Sequence, residues 1–240
     1  MIRKDLLSQV ASPPSEISTA QTALTFTDIL FGLVALELFR RLQNMFSLPG
    51  FAQWQLFTSA VLIVGSWIGF RRSRKRTRYE IKFFNLPLFC FVVDQVLVFL
   101  YFYVLTRIPL EPSASIDPEA LTHDTLLALC LIFALYVCWD GLSILIAKAK
   151  DHSGPSIVPK YPKVDAESRK TDQFDDPDFV GLGISGAALI LFLGLFVIAC
   201  HAEISEASAK TYFGLALFFL LLYRHAEEIN TTFNSAQPHQ

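Results

Sequence analysis

Six apolar stretches, separated by polar segments, limit this chain to a narrow set of folds. They fall near 24–46, 51–70, 83–106, 123–147, 179–200 and 208–224. A helix needs about 20 mostly apolar residues to cross the hydrocarbon core of a bilayer, and a soluble domain of this size does not need such runs. The expected fold class is all-α, a polytopic integral membrane protein with six transmembrane helices. The composition agrees, with 52% apolar residues and 22 Phe in 240 positions. The last stretch is the shortest and needs little tilt or extended ends to span.

Orientation follows from the Lys and Arg residues. If the spans alternate, 16 of the 20 bases fall on one side, among them Arg3, Lys4, Lys82 and the cluster Arg71, Arg72, Arg74, Lys75, Arg76 and Arg78. Arg40, Arg41, Arg107 and Lys210 fall on the other. The positive-inside rule then makes both termini cytoplasmic. The first twenty residues include Pro13 and Pro14 and hold no apolar core, so the first span is expected to act as its own insertion signal.

The resulting organisation is a cytoplasmic arm (1–23), four spans (24–147), a polar cytoplasmic linker (148–178), two spans (179–224) and a cytoplasmic tail (225–240). The linker carries Pro155, Pro159, Pro162, Pro177 and mixed charge without apolar periodicity, so it cannot build a core. It reads as a linker or as a docking strip for a soluble partner. With no soluble catalytic domain in view, the chain is not expected to be an enzyme, to hold a cofactor or metal, or to bind nucleic acid. Its partners are the lipid bilayer and anionic headgroups, which the Arg71–Arg78 cluster would meet beside its role as a topology signal.

Several motifs have plain explanations. Gly181-Leu182-Gly183-Ile184-Ser185-Gly186 matches a dinucleotide-binding fingerprint letter for letter, but it opens a membrane span instead of following a strand. Its small residues, with Ala187, suit close helix contact. The four cysteines form no CxxC and read as small apolar fillers. Glu37 has Arg40 and Arg41 at i+3 and i+4, Asp117-Pro118 reads as a helix start, and Trp54 and Trp67 suit the two membrane interfaces.

The remaining acids carry the chemistry. An unpaired carboxylate in hydrocarbon costs about 2.5–3.5 kcal/mol on the most lenient scale. Asp94 falls at the middle of the third span. Asp140 lies roughly 7 Å and Asp28 roughly 10 Å inward of their span centres, counting 1.5 Å per residue, with no base expected at those depths. Asp28 shares a stripe with Thr25, Gly32 and Ala35, with Thr27 beside it. Asp140 shares one with Tyr136 and Ser143, whose hydroxyls are expected to bond its carboxylate. Asp94 is followed by Gln95. These three acids suit a cation path or proton relay. The alternatives are structural: Asp28 as the N-cap of a helix starting at Ile29, and Asp94 and Asp140 as protonated packing glue.

The stretch Phe26-Thr27-Asp28-Ile29-Leu30-Phe31-Gly32-Leu33 resembles the start of the first helix in endosomal–lysosomal and bacterial potassium channels, which carry a Phe-Ser-Asp signature. The resemblance implies a six-span subunit with cytoplasmic termini in a homo-oligomer, the first helix lining the pore and Leu33 at the apolar constriction. The chain departs from that pattern in Thr27 for the serine, in Thr22 for an arginine, and in Phe70 for a histidine three positions after Trp67.

Taken together, the expectation is a homo-oligomeric channel for monovalent, potassium-like cations in a bacterial inner membrane. The competing expectations are a proton-coupled small-solute transporter and a non-transporting membrane subunit or defence effector. An intramembrane aspartyl hydrolase fits less well, since Asp94 and Asp140 lie at different depths.

Overall fold

The structure, a computed structural model, describes residues 19–76, 86–108, 116–152 and 179–236. Among these are six α-helices and one short 3-10 turn, with no strand. The helices are α1 (Thr19–Gln43), α2 (Gly50–Arg76), α3 (Leu86–Thr106), α4 (Pro118–His152), α5 (Phe179–His201) and α6 (Glu206–Ala236). Part of the 148–178 linker is thus helical, and so is most of the 225–240 tail. Residues 153–178 and Arg78 lie outside the described residues, as do the side chains of Thr25, Arg72, Arg74, Lys75 and Arg76.

Local sequence sets the helix ends. α1 stops at Asn44, and the chain turns through Met45–Ser47 before Leu48 extends (φ −80, ψ 152) ahead of Pro49, as the residue before a proline must. Gln53 Nε2 then donates to Leu48 O at 2.9 Å, closing the entry to α2. α4 begins as its sequence suggests: Asp117 Oδ1 accepts from Glu119 N at 3.0 Å, and Pro118 fills the first helical position. α6 is entered through a reciprocal Ser205–Ser208 cap, Ser208 Oγ accepting from Ser205 N at 2.8 Å and Ser205 Oγ from Ser208 N at 3.3 Å.

Among the described residues, four helices are long and apolar enough to cross a membrane: Gly50–Arg71, Leu88–Thr106, Pro118–Ile146 and Val180–His201. The protein is therefore an α-helical integral membrane protein. α1 and α6 differ in charge. α1 carries Asp28, Glu37, Arg40 and Arg41, and the apolar run of α6 is bounded by Lys210 and Arg224.

α4 packs against α5, α3 and α6, while α2 packs against α6, α3 and α1. α1 sits at the edge, against α2, α3 and the 3-10 turn. The core is aromatic. The fully buried Phe133 stacks on Phe192 at 4.8 Å and meets Tyr223 and Tyr136 edge-on at 5.0 and 5.3 Å, geometries that suit the ring quadrupoles. Large apolar side chains on every helix point outward, as a lipid solvent requires. Gly183 and Ala187 of α5 belong to that outer surface, while Ser185 and Ala188 are buried. A Cβ on Gly183 or Gly186 would meet nothing within 4 Å, so no close helix contact forms at these two glycines among the described residues.

Candidate functional site

α1 buries Thr27, Phe31, Val34, Leu38 and Arg41, a stripe at i+3/i+4 spacing that faces its neighbours. Thr27 leads this stripe, and Gln95 of α3 donates its Nε2 to Thr27 Oγ1 at 2.9 Å. Asp28, one position on, is turned to the flank. The helix begins at Thr19, so Asp28 lies inside it and is not an N-cap. Nor does Asp28 lack a base: Arg71 Nη2 approaches Asp28 Oδ2 at 3.4 Å, and its guanidinium lies 5.3 Å from the Trp67 ring centre. Counting depth by residue number places Arg71 past the end of its span. Its long apolar stem lets the head reach back.

Both partners are partly exposed, Arg71 at 56% and Asp28 at 39%, so the pair contributes at most about 1 kcal/mol. Its other carboxylate oxygen, Asp28 Oδ1, is shielded from solvent and accepts no hydrogen bond. The same holds for Gln95 Oε1. Asp94 is buried beside Gln95 in sequence, on the α3 face that also buries Leu97, Val98 and Tyr101. Leu33 is 53% exposed, on an outward stripe with Ile29 and Leu36.

Asp140 and Ser143 are half-buried in the C-terminal half of α4. Tyr136 does not serve Asp140 as the sequence suggests. Its hydroxyl sits 2.5 Å from Ser66 Oγ and 2.7 Å from the Tyr101 hydroxyl. Ser66 donates to Leu62 O at 2.6 Å, so its oxygen accepts from Tyr136, and Tyr136 in turn accepts from Tyr101. The chain runs one way and ends on a backbone carbonyl. A peptide oxygen is not a usable proton acceptor at neutral pH, so these three hydroxyls tie α3, α4 and α2 together and do not form a relay.

Beside them lies a feature that sequence reasoning missed. Arg224 of α6 donates to Glu227 at 2.5 Å and lies 5.7 Å from the Tyr223 ring centre. It rests across two glycines of α2: a Cβ on Gly65 would stand 2.6 Å from Arg224 Nε, and one on Gly69 would stand 3.0 Å from its Nη1. Lys210 crosses Gly50 in the same way, its Cε 2.7 Å from an added Cβ. The available signal was the Gly65/Gly69 spacing of four, which lets a neighbour approach closely. A cavity of about 10 Å³ lies here, lined by Ser66, Tyr136, Tyr223, Arg224 and apolar neighbours. That is room for a single water.

Toward the other end, buried Gln55 donates to Thr125 Oγ1 at 2.7 Å, and Thr58 donates to Phe213 O at 3.2 Å, joining α2 to α4 and α6. Glu37 bonds both Arg41 (2.6 Å) and Arg40 (3.2 Å), as its spacing implies. Arg107 pairs with Asp124, and that hydrogen bond raises the guanidinium above its ordinary value. His123 meets Ala199 O at 3.1 Å, a contact between α4 and α5. Among the described residues no group of three His, Cys, Asp or Glu could hold a metal ion. No family model, curated protein or solved structure matches this chain.

Proposed function

We propose that the protein spans a bacterial plasma membrane six times, with both termini on the cytoplasmic side. In this reading it assembles with copies of itself and passes monovalent, potassium-like cations along a path between them. The observation that carries the reading is the contrast between the tightly packed α2–α4–α6 junction and a partly polar flank on α1. The cavity at the α2–α4–α6 junction has room for one water, so that junction offers no ion path, and this reading puts the path between copies. Among the described residues, α1 packs against α2, α3 and the 3-10 turn alone. Its free side presents Leu33 at 53% exposure, with the half-buried Asp28 on its flank and open space above Gly32.

In this reading an acid ring at Asp28 draws cations to an inner vestibule, and an apolar ring at Leu33 gates by dewetting. Asp94 and Asp140 add negative potential behind it. The basic cluster from Arg71 onward holds the inner end at anionic headgroups. The test is flux of K⁺, Na⁺ and H⁺ through the purified protein in liposomes. We expect non-saturating cation flux that falls in Asp28→Asn and leaks more in Leu33→Ser. Absence of flux under every gradient, from protein that remains folded, overturns the proposal.

The burial of Asp94 at 6% exposure favours a second reading, a proton-coupled transporter of a small solute. Saturable uptake driven by a pH gradient, abolished in Asp94→Asn, separates it from a channel.

A further inference from the structure

We infer that Arg71 is shared between Asp28 and the phosphate of an anionic lipid, so that a lipid seated at the α1–α2 edge frees the Asp28 carboxylate. The binding step stands on the geometry alone. Its consequence for flux rests on the conduction reading, in which Asp28 supplies the acid ring.

The contact with Asp28 leaves most of the guanidinium unused. Among the described residues Arg71 makes a single hydrogen bond, from Nη2 to Asp28 Oδ2 at a long 3.4 Å. A guanidinium carries five N–H donors in a fixed fork, and a well-placed carboxylate or phosphate takes two of them at once. Asp28 takes one. The Arg71 side chain is more than half exposed, so there is room beside Asp28 for a second acceptor.

The neighbours of Arg71 say what that acceptor is. Trp67 and Ile68 lie one turn earlier on the same face of α2, and both are exposed, with the guanidinium 5.3 Å from the Trp67 ring centre. Phe26 and Ile29, on either side of Asp28, are exposed as well. A soluble anion has no use for these apolar side chains, whereas the acyl chains of a lipid cover them while its phosphate meets the cation. Arg72, Arg74, Lys75 and Arg76 follow on the same helix. Their positive potential favours a headgroup of net negative charge over a zwitterionic one, which brings its own cation.

The experiment reads Trp67 fluorescence in the purified full chain carrying Trp54→Phe and Trp139→Phe. The protein is reconstituted in phosphatidylcholine vesicles holding an increasing fraction of phosphatidylglycerol brominated on its acyl chains, which quenches a neighbouring indole. Brominated phosphatidylcholine sets the baseline. The expected preference for phosphatidylglycerol is about fivefold for the one arginine, and Arg71→Gln should lower it by that factor. Asp28→Asn removes the competing acid and should raise the preference, a gain that misfolding cannot mimic. That gain should vanish in the Asp28→Asn/Arg71→Gln double variant, where no arginine is left to share. Equal quenching by the two lipids, or a gain from Asp28→Asn that persists in the double variant, overturns the inference. Cation flux should rise more steeply with the phosphatidylglycerol fraction in the native sequence than in Arg71→Gln. Selective lipid binding without any flux would sink the conduction reading and leave this site standing. Flux without a lipid preference at Trp67 would do the reverse.

Discussion

Between α2, α3 and α4, each hydroxyl hands its hydrogen to the next: Tyr101 to Tyr136, Tyr136 to Ser66, and Ser66 to the Leu62 carbonyl. At the edge, on α1 and α3, the count runs the other way: Asp28 Oδ1 and Gln95 Oε1 are shielded and accept nothing. The first region is closed and surrounded by stacked aromatic rings. The second lies at the edge of the bundle, on its most peripheral helix. Satisfied networks in a membrane bundle hold helices in register and leave nothing for a ligand to do.

The closed region is the more sensitive of the two to substitution. Phe133 is fully buried among Phe192, Tyr136 and Tyr223. Phe133→Ala should cost about 3–5 kcal/mol, read as lost thermal or denaturant resistance of the solubilised protein.

Next in size is Gly65→Ala, where the new methyl would stand 2.6 Å from Arg224 Nε. Overpacking of this kind costs about 1–3 kcal/mol. The cause is checked by a double-mutant cycle with Arg224→Ala, which should recover part of the loss because it removes the clashing group. A cycle with no coupling would mean that Arg224 moves aside freely and that the glycine seat is unimportant.

These two sites also mark how far the sequence could be read. Apolar runs anticipated the six helices of the described residues, four of which are long and apolar enough to cross a membrane, because hydropathy reports which residues the solvent tolerates. It does not report where a helix ends: α4 and α6 continue into Lys- and Glu-bearing sequence that favours helix as well as any apolar run. Local pairings were legible, as with Glu37 and its two arginines or Asp117 and Pro118, since one turn of helix fixes who meets whom. The seat of Arg224 on Gly65 and Gly69 was not, because nothing local says which helix lies against which. The same blindness assigned Tyr136 to Asp140, its neighbour on one helix, when its hydroxyl is spent across to Ser66 and Tyr101. It also missed Arg71 as a partner of Asp28, where side-chain reach mattered more than backbone depth.

A smaller loss is expected from Tyr136→Phe. The ring stays, and with it the contact to Phe133, while Tyr101 loses its acceptor and Ser66 keeps its own. Interhelical hydrogen bonds in membranes average about 0.6 kcal/mol and reach about 1.7, so the change in stability should fall near 1 kcal/mol. Proton or cation flux should be unaffected, given that the hydroxyl chain ends on a carbonyl. A selective loss of flux in Tyr136→Phe would show that the closed network takes part in transport after all.

The smallest change in stability belongs to Asp28→Asn, and it is the most informative. The Asp28–Arg71 pair is long and partly exposed, so removing its charge should alter stability by about 0–1 kcal/mol at low salt, and less at high salt. If Asp28 were only half of an interfacial ion pair, that would be the whole effect, and Arg71→Gln should reproduce it. If Arg71 is shared with a lipid phosphate, the two substitutions separate. Asp28→Asn removes the acid that competes for the guanidinium and should strengthen the preference for anionic lipid, whereas Arg71→Gln removes the cation that the phosphate needs and should weaken it. No effect on folding alone gives the two variants opposite signs. Loss of the Asp28→Asn gain in the double variant then distinguishes a shared arginine from two independent surface charges, whose effects would simply add.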